Sequence, residues 1–416
     1  MKDLIQYISE NKNTNPNKVL IKTPAKDYSY KEVATKITNL SLHLNKNDQK
    51  QRHIAILLDD SPEFIIAFLA VQRISDVAVL FPVSMDEAII RQKIDSLNIS
   101  TVIYQEKYRP IINKTKHSGR KIVIGNNIDD EKNFQELTES TDSYNIQIPF
   151  MNIDQPSILI FTSGATGNPK NILLSHKSLV QNALSCQHII QNEKSLNFLG
   201  YPEFANFISL VLVISLAISS SGIITIPESK DSKTLLHTIK NQNAEVFVSV
   251  PKNLKELIEN SDNFKVNNLK YTLSLSAPIE DELIDAWIYN FQCTLWHGYG
   301  LAESLVVSFN NKIDNHKLSS MGKALPDCNM KIMNSMQIEL PTGRVGELYI
   351  QSPSNLHSYY NSDKNKNRRN KWLATGDLVK KDPDGYYHYI DKKINVIHKK
   401  GFTIFPGEIE EILLKH

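Results

Sequence analysis

Between Lys31 and Leu44, apolar side chains recur at helical spacing (Val33, Ile37, Leu40, Leu42, Leu44), which predicts a helix. His53 to Leu58 is a short apolar run bounded by charge and predicts a buried strand. Ser61-Pro62-Glu63 then opens an apolar segment from Phe64 to Ile74, with Ser61 as cap and Pro62 at the first helical position. Val77 to Phe81 predicts a second strand, Asp86 to Leu97 a second helix and Thr101 to Tyr104 a third strand. Strands alternating with helices of this length predict an α/β fold, a parallel sheet with both faces covered.

From Lys114 to Pro149 polar residues dominate, apart from a short strand predicted at Lys121 to Ile124. A second alternating block runs from Ser157 to Phe309, with buried strands predicted at Ile158–Phe161, Val246–Val250, Leu269–Leu275 and Thr294–Trp296. The most apolar stretch, Phe207 to Ile226, is broken by Ser209, Ser215 and the Ser219–Gly222 cluster. A membrane-spanning helix needs about 20 predominantly apolar residues, so a buried helix, a turn and a short strand are expected instead. After Ser320, short strands at Asn329–Asn334, Gly346–Gln351 and Gly385–Ile390 predict a small antiparallel sheet or barrel, and a short helix is expected from Pro406 to His416.

Composition narrows the function classes. Lys plus Arg number 47 against 45 Asp plus Glu, a balance that leaves no electrostatic footprint for nucleic acid. Three cysteines (Cys186, Cys293, Cys328) are too few for a disulfide framework and suit a reducing compartment. The N-terminal segment lacks the apolar core of a secretory signal, so a cytoplasmic protein without a membrane span is expected. Glycine is scarce, 15 in 416 residues, so clustered glycines carry more weight than usual.

The sharpest cluster runs from Ile158 to Lys170. A predicted strand enters a loop with two glycines (Gly164, Gly167), three hydroxyls (Thr162, Ser163, Thr166) and Lys170. Glycines let successive amides face one concavity, while hydroxyls and an ammonium add donors and charge, an inventory that suits a polyphosphate. It is not a Walker A loop, because Lys170 comes three residues after Gly167 and no Ser or Thr follows it. In Leu295–Ser304 a predicted strand ends at a Gly-x-Gly turn (Gly298, Gly300) that would present Tyr299 and Glu303, an aromatic for a purine and a carboxylate for Mg²⁺. In Leu373–Leu378, Asp377 lies on a predicted turn where it could accept from ribose hydroxyls. Taken singly, each of these also reads as an ordinary turn or helix cap. Their order and separation give them specificity.

In that order the motifs resemble the adenylate-forming superfamily, which comprises acyl-CoA synthetases, luciferases and the adenylation domains of peptide synthetases. Thr162–Asn171 (TSGATGNPKN) matches the phosphate loop, Tyr299–Glu303 the adenine and magnesium motif, and Thr375–Asp377 the ribose motif. Asp391 to Ile397, with Lys392, matches the hinge less well. The resemblance implies two α/β subdomains (1–155 and 156–320), a small β-rich subdomain (321–390) and the start of a truncated C-terminal domain (391–416). It implies Lys170, Glu303 and Thr166 as catalytic residues. Nucleotide binding would fall to Thr162, Ser163, Gly164, Thr166, Gly167, Lys170, Tyr299, Gly300, Glu303, Asp377 and Lys392, with Glu303 holding Mg²⁺. The implied reaction joins a carboxylic acid to ATP as an acyl-adenylate, then passes the acyl group to a thiol of CoA or of a carrier protein's phosphopantetheine.

The chain departs from the pattern at Ala165, Asn171, Ala302, Ser276, Lys392 and Ile394. Its end at His416 falls short of the near-terminal lysine that the family uses in adenylation, so impaired turnover, or a degenerate adenylate-binding protein, is the rival expectation. No Asp stands in Glu203–Ser209 to hold a substrate amine, which favours a fatty or aryl acid over an amino acid.

Overall fold

The computed structural model describes residues 1–45, 51–140, 152–162, 170–261, 266–310, 317–360, 371–399, 402–404, 406 and 413. The predicted alternation is realised in two large sheets. One has eight strands, built around parallel pairing of His53–Leu57 with Val77–Leu80 and Ile99–Gln105. The other has nine and contains Asn197–Gly200, Val246–Ser249, Tyr271–Ser274 and Leu295–Leu301 in parallel register. Both sheets recruit strands from either side of position 155. Pro156–Phe161 pairs with Val77–Leu80 in the first sheet, while Val19–Lys22 pairs with Ile223–Thr225 in the second.

A continuous apolar core lies between these sheets and explains the helix sequences. In Pro62–Arg73, capped as expected by Ser61 accepting from the Phe64 N–H, ten residues from Pro62 to Gln72 are buried. A helix apolar on nearly all sides belongs inside, and this one lies between the strands His53–Leu57 and Val77–Leu80 and the helices Leu4–Thr14 and Tyr30–Leu44. Tyr30–Leu44, whose capping box pairs Ser29 with Glu32, packs against it with its Val33–Ile37–Leu40 stripe. The apolar stretch after Phe207 forms the expected buried helix, but through a π-helical turn, Leu210–Ser215, in which the Ser215 hydroxyl donates to the Leu210 carbonyl at 2.6 Å. Two outer clusters cover the remaining faces, one around Trp287 and Phe247, the other around Ile90, Ile94 and Tyr104.

Beyond these sheets, Asn329–Met333, Val345–Gln351, Leu373–Lys381 and Tyr387–Lys392 form the expected small antiparallel sheet. A short ribbon, Ile397–Lys399 with Phe402–Ile404, follows it. The helix expected from Pro406 to His416 falls almost wholly outside the described residues. Several elements escaped the sequence pattern, among them Leu4–Thr14, started by an Asp3–Gln6 capping box, the short helix Phe134–Glu139, the helices His176–Cys186, Ser232–Asn241 and Asp281–Phe291, and the strands Val19–Lys22 and Asn197–Gly200. Among the described residues, no helix is long and apolar enough to cross a membrane. All three cysteines are buried and unbonded to one another.

The C-terminal ends of the two sheets are sewn together by charge. Asp60, just past His53–Leu57, accepts from the Phe204 N–H at 2.7 Å and pairs with the Lys230 ammonium at 2.6 Å. Glu203 accepts from the Val83 N–H at 2.8 Å and the Ser84 N–H at 3.2 Å. These bonds tie the two sheets together beyond the strand ends, the usual location of ligands in open α/β sheets.

Candidate nucleotide-binding cleft

The strand Pro156–Phe161 delivers the chain to Thr162, and Asn171–Ser175 takes it back antiparallel. The loop between them is closed at its base. The Thr162 N–H donates to the Lys170 carbonyl at 3.1 Å, and the Lys170 N–H donates to Thr162 Oγ1 at 3.3 Å. Ser163, Gly164, Thr166 and Gly167 lie outside the described residues. Asn171, which stands where the resemblance has Gly, is engaged: its side-chain oxygen accepts from the Lys93 ammonium at 2.8 Å.

One expectation needs correcting at the second motif. The Gly-x-Gly stretch is not a turn: the strand continues through it, from Leu295 to Leu301, and returns antiparallel as Leu305–Phe309. The glycines are there for closeness. A Cβ at Gly298 would lie 2.7 Å from the Phe309 ring and from the Ser308 carbonyl, and one at Gly300 would lie 2.4 Å from the Leu305 carbonyl. Glu303 sits on the reversal that follows, where the Ser304 N–H donates to the Leu301 carbonyl. A glycine pair inside a tight hairpin and a glycine turn look alike in sequence, which is why the pattern misled.

Asp377 likewise sits within a strand, Leu373–Lys381, beside a kink at Gly376, whose φ of +79° favours glycine and whose missing side chain faces open space. Its N–H donates to Thr375 Oγ1 at 3.0 Å, and that hydroxyl donates to the Leu348 carbonyl. The Tyr299 hydroxyl donates to Asp377 Oδ2 at 2.5 Å, joining the adenine and ribose motifs directly. Lys392 is the register partner of Asp377 on the neighbouring strand. Burial pushes the Asp377 carboxyl up from its ordinary value, and the Tyr299 bond and the Lys392 charge pull it back.

Glu303 completes the group. Its carboxyl is also pushed up by burial, countered first by its own backbone N–H, then by the charge of Lys170 and a hydrogen bond from Tyr359, while Asp377 adds repulsion. The Tyr359 hydroxyl lies 3.4 Å from Glu303 Oε1, and its ring centroid lies 5.6 Å from Lys170 Nζ. The structure thus brings together Thr162, Lys170, Tyr299, Gly300, Glu303, Asp377 and Lys392. Tyr359 was missed by sequence reading, because it belongs to a two-residue strand, Ser358–Tyr359, too short for any periodic signal.

Neighbouring candidates are structural. Burial lowers the His297 imidazole to a pKa of about 4 and holds it neutral. Glu203, which opens the stretch without an amine-binding Asp, has both oxygens taken by backbone amides.

Two α/β sheets meeting at a crevice, with a small antiparallel sheet laying Asp377 against Tyr299, define the architecture of the adenylate-forming superfamily. The chain belongs to the AMP-binding enzyme family, whose model matches residues 8–360. It is 28% identical over 428 residues to "Probable 4-coumarate–CoA ligase 3" of Dictyostelium discoideum, across 94% of this chain and 76% of that protein. An anthranilate CoA ligase solved with anthranoyl-AMP superposes with a TM-score of 0.91 at 18% identity, covering 100% of this chain and 82% of that one. A benzoate CoA ligase from Burkholderia xenovorans gives 0.88 at 16% identity, covering 100% and 84%. At such identities the two structural likenesses establish the fold.

Proposed function

We propose that the protein is an acid–thiol ligase. It would activate an aryl or other apolar carboxylic acid with ATP to an acyl-adenylate and pyrophosphate, then transfer the acyl group to a thiol with release of AMP. The observation that carries this reading is the convergence of Lys170, Glu303, Tyr299 and Asp377, from three separate motifs, on one crevice. The named relatives act on coumarate, anthranilate and benzoate, which supports an aryl acid and coenzyme A as the thiol. Glu203, spent on backbone amides, leaves no free carboxylate at that position for a substrate amine.

The residues have distinct work. The carboxylate attacks the α-phosphorus while charge builds on the phosphate oxygens, so fixed positive charge and donors lower the barrier. Lys170 supplies that charge at the loop exit, with Thr162 and the loop hydroxyls Ser163 and Thr166 as donors. Tyr299 and Asp377 hold the nucleoside, which keeps the α-phosphate in reach of the acid.

The donor set suits one hard divalent cation. Glu303 is a carboxylate whose burial disfavours its charge and whose Oε1 faces a hydroxyl, so its other oxygen could ligate an ion otherwise held by phosphates and water. Mg²⁺ bound there would neutralise charge on the transferring phosphate.

Acid-dependent exchange of labelled pyrophosphate into ATP tests this reading. Exchange stimulated by an aryl or fatty acid, followed by thioester formation with CoA or with phosphopantetheine on a carrier protein, is expected. ATP binding without exchange for any acid would reject the ligase in favour of an adenylate-binding protein.

A further inference from the structure

The segment 356–360 touches both halves of the phosphate site. The Leu356 N–H donates to the Glu303 carbonyl at 2.6 Å, the His357 N–H to the Leu173 carbonyl at 2.8 Å and the Tyr360 N–H to the Asn171 carbonyl at 2.9 Å. Ser358 and Tyr359 pair antiparallel with Leu173 and Ile172, on the strand that carries the chain away from Lys170. The backbone therefore ties the exit of the phosphate loop to the turn that bears Glu303. Residues alternate across such a strand: Tyr360 packs on the outer cluster, and Tyr359 on the central core beneath the crevice.

From that anchored position Tyr359 meets two opposite charges at once. Its hydroxyl points to Glu303 Oε1, and its ring lies under the Lys170 ammonium. Lys170 is exposed and Glu303 half-buried, so an unrestrained lysine would be drawn toward the carboxylate and quench it. A ring face attracts an ammonium without neutralising it, and a hydroxyl bond to a carboxylate leaves its charge in place. We propose that Tyr359 is a positioning residue: it spaces Lys170 from Glu303, holding the ammonium for phosphate and the carboxylate for the cation. The proposal rests on the nucleotide-site reading above, but not on which acid is activated.

Calorimetric binding of ATP to the full chain, with Mg²⁺ and with EDTA, tests it without turnover. Tyr359→Phe keeps the ring and loses the hydroxyl. It should leave EDTA–ATP affinity unchanged and reduce the Mg²⁺-dependent gain roughly tenfold, the scale of a hydrogen bond to a charged group. Tyr359→Leu also loses the ring and should weaken EDTA–ATP binding about threefold more. In a Glu303→Ala background, Tyr359→Phe should have no further effect on the Mg²⁺ gain. Wild-type behaviour of both single variants, or a Tyr359→Phe effect that persists without Glu303, would overturn the proposal. Wild-type protein that binds Mg–ATP yet exchanges no pyrophosphate would refute the ligase alone, and protein that binds no ATP would refute both.

Discussion

Asp377 shows how one side chain serves two motifs. Its Oδ2 accepts from Tyr299 at 2.5 Å, and in the proposed function Oδ1 accepts from a ribose hydroxyl. Asp377→Ala should raise KM for ATP roughly tenfold or more, the cost of a charged hydrogen bond, while KM for the acid stays put; steady-state kinetics with each substrate varied checks this. An equal rise in both would mean the residue supports the whole cleft and not the nucleoside. Lys170, Glu303, Tyr299 and Asp377 were legible in the sequence because each sits in a compact run whose neighbours identify it. Tyr359 was not: its role comes from a strand register with Ile172, far along the chain, and nothing beside it in sequence announces the contact. The Tyr299–Asp377 bond was equally hidden, since the two motifs were read as separate nucleotide contacts.

Elements were read best where burial imposes a pattern. Ser61–Pro62 started the central helix as expected, and strands such as His53–Leu57 and Val246–Ser249 appeared within a few residues of their predicted ends, whereas Val19–Lys22, Asn171–Ser175 and Asn197–Gly200 carried no predicted strand. The hairpin Leu295–Phe309 was the exception. Its glycines exist to admit Phe309 and the Leu305 carbonyl, so Gly298→Ala must shift backbone or ring. Overpacking of that kind costs about 1–3 kcal/mol, and urea unfolding should register a lowered midpoint; an unchanged midpoint would show that the hairpin has slack.

The N-terminal helix Leu4–Thr14 was missed because its anchor is remote. The Leu4 N–H donates to His176 Nε2 at 3.1 Å, so Nδ1 carries the proton and donates to Gln72 Oε1 at 2.9 Å. Burial lowers the His176 pKa to about 4 from 6.5. The unfolded chain therefore takes up the proton first as pH falls, and stability rises with pH between about 4 and 6.5 and is flat above. His297 adds a term of the same sign. Each contributes about 3 kcal/mol across that window. Thermal melts from pH 7 to pH 4.5 should show the loss, with His176→Gln giving a shallower slope. Identical slopes in variant and wild type would remove His176 from this account.

At the scale of the molecule, two sheets that each draw strands from both sides of position 155 frame the site, and the small antiparallel sheet supplies Asp377 and Lys392 to it. The α/β class and the late change to short antiparallel strands were visible in the hydropathy pattern. The interleaving of the sheets was not, because strand order depends on packing between distant segments and leaves no local mark. What the arrangement achieves is an electrostatic site assembled from three motifs, each contributing a charge or donor that the others lack. Pyrophosphate exchange measured side by side for wild type and Glu303→Ala, over aryl and fatty acids, tests that claim most directly. Acid-stimulated exchange in the wild type that falls about 10²–10³-fold in the variant is the predicted result. Exchange that survives the substitution undiminished would contradict it.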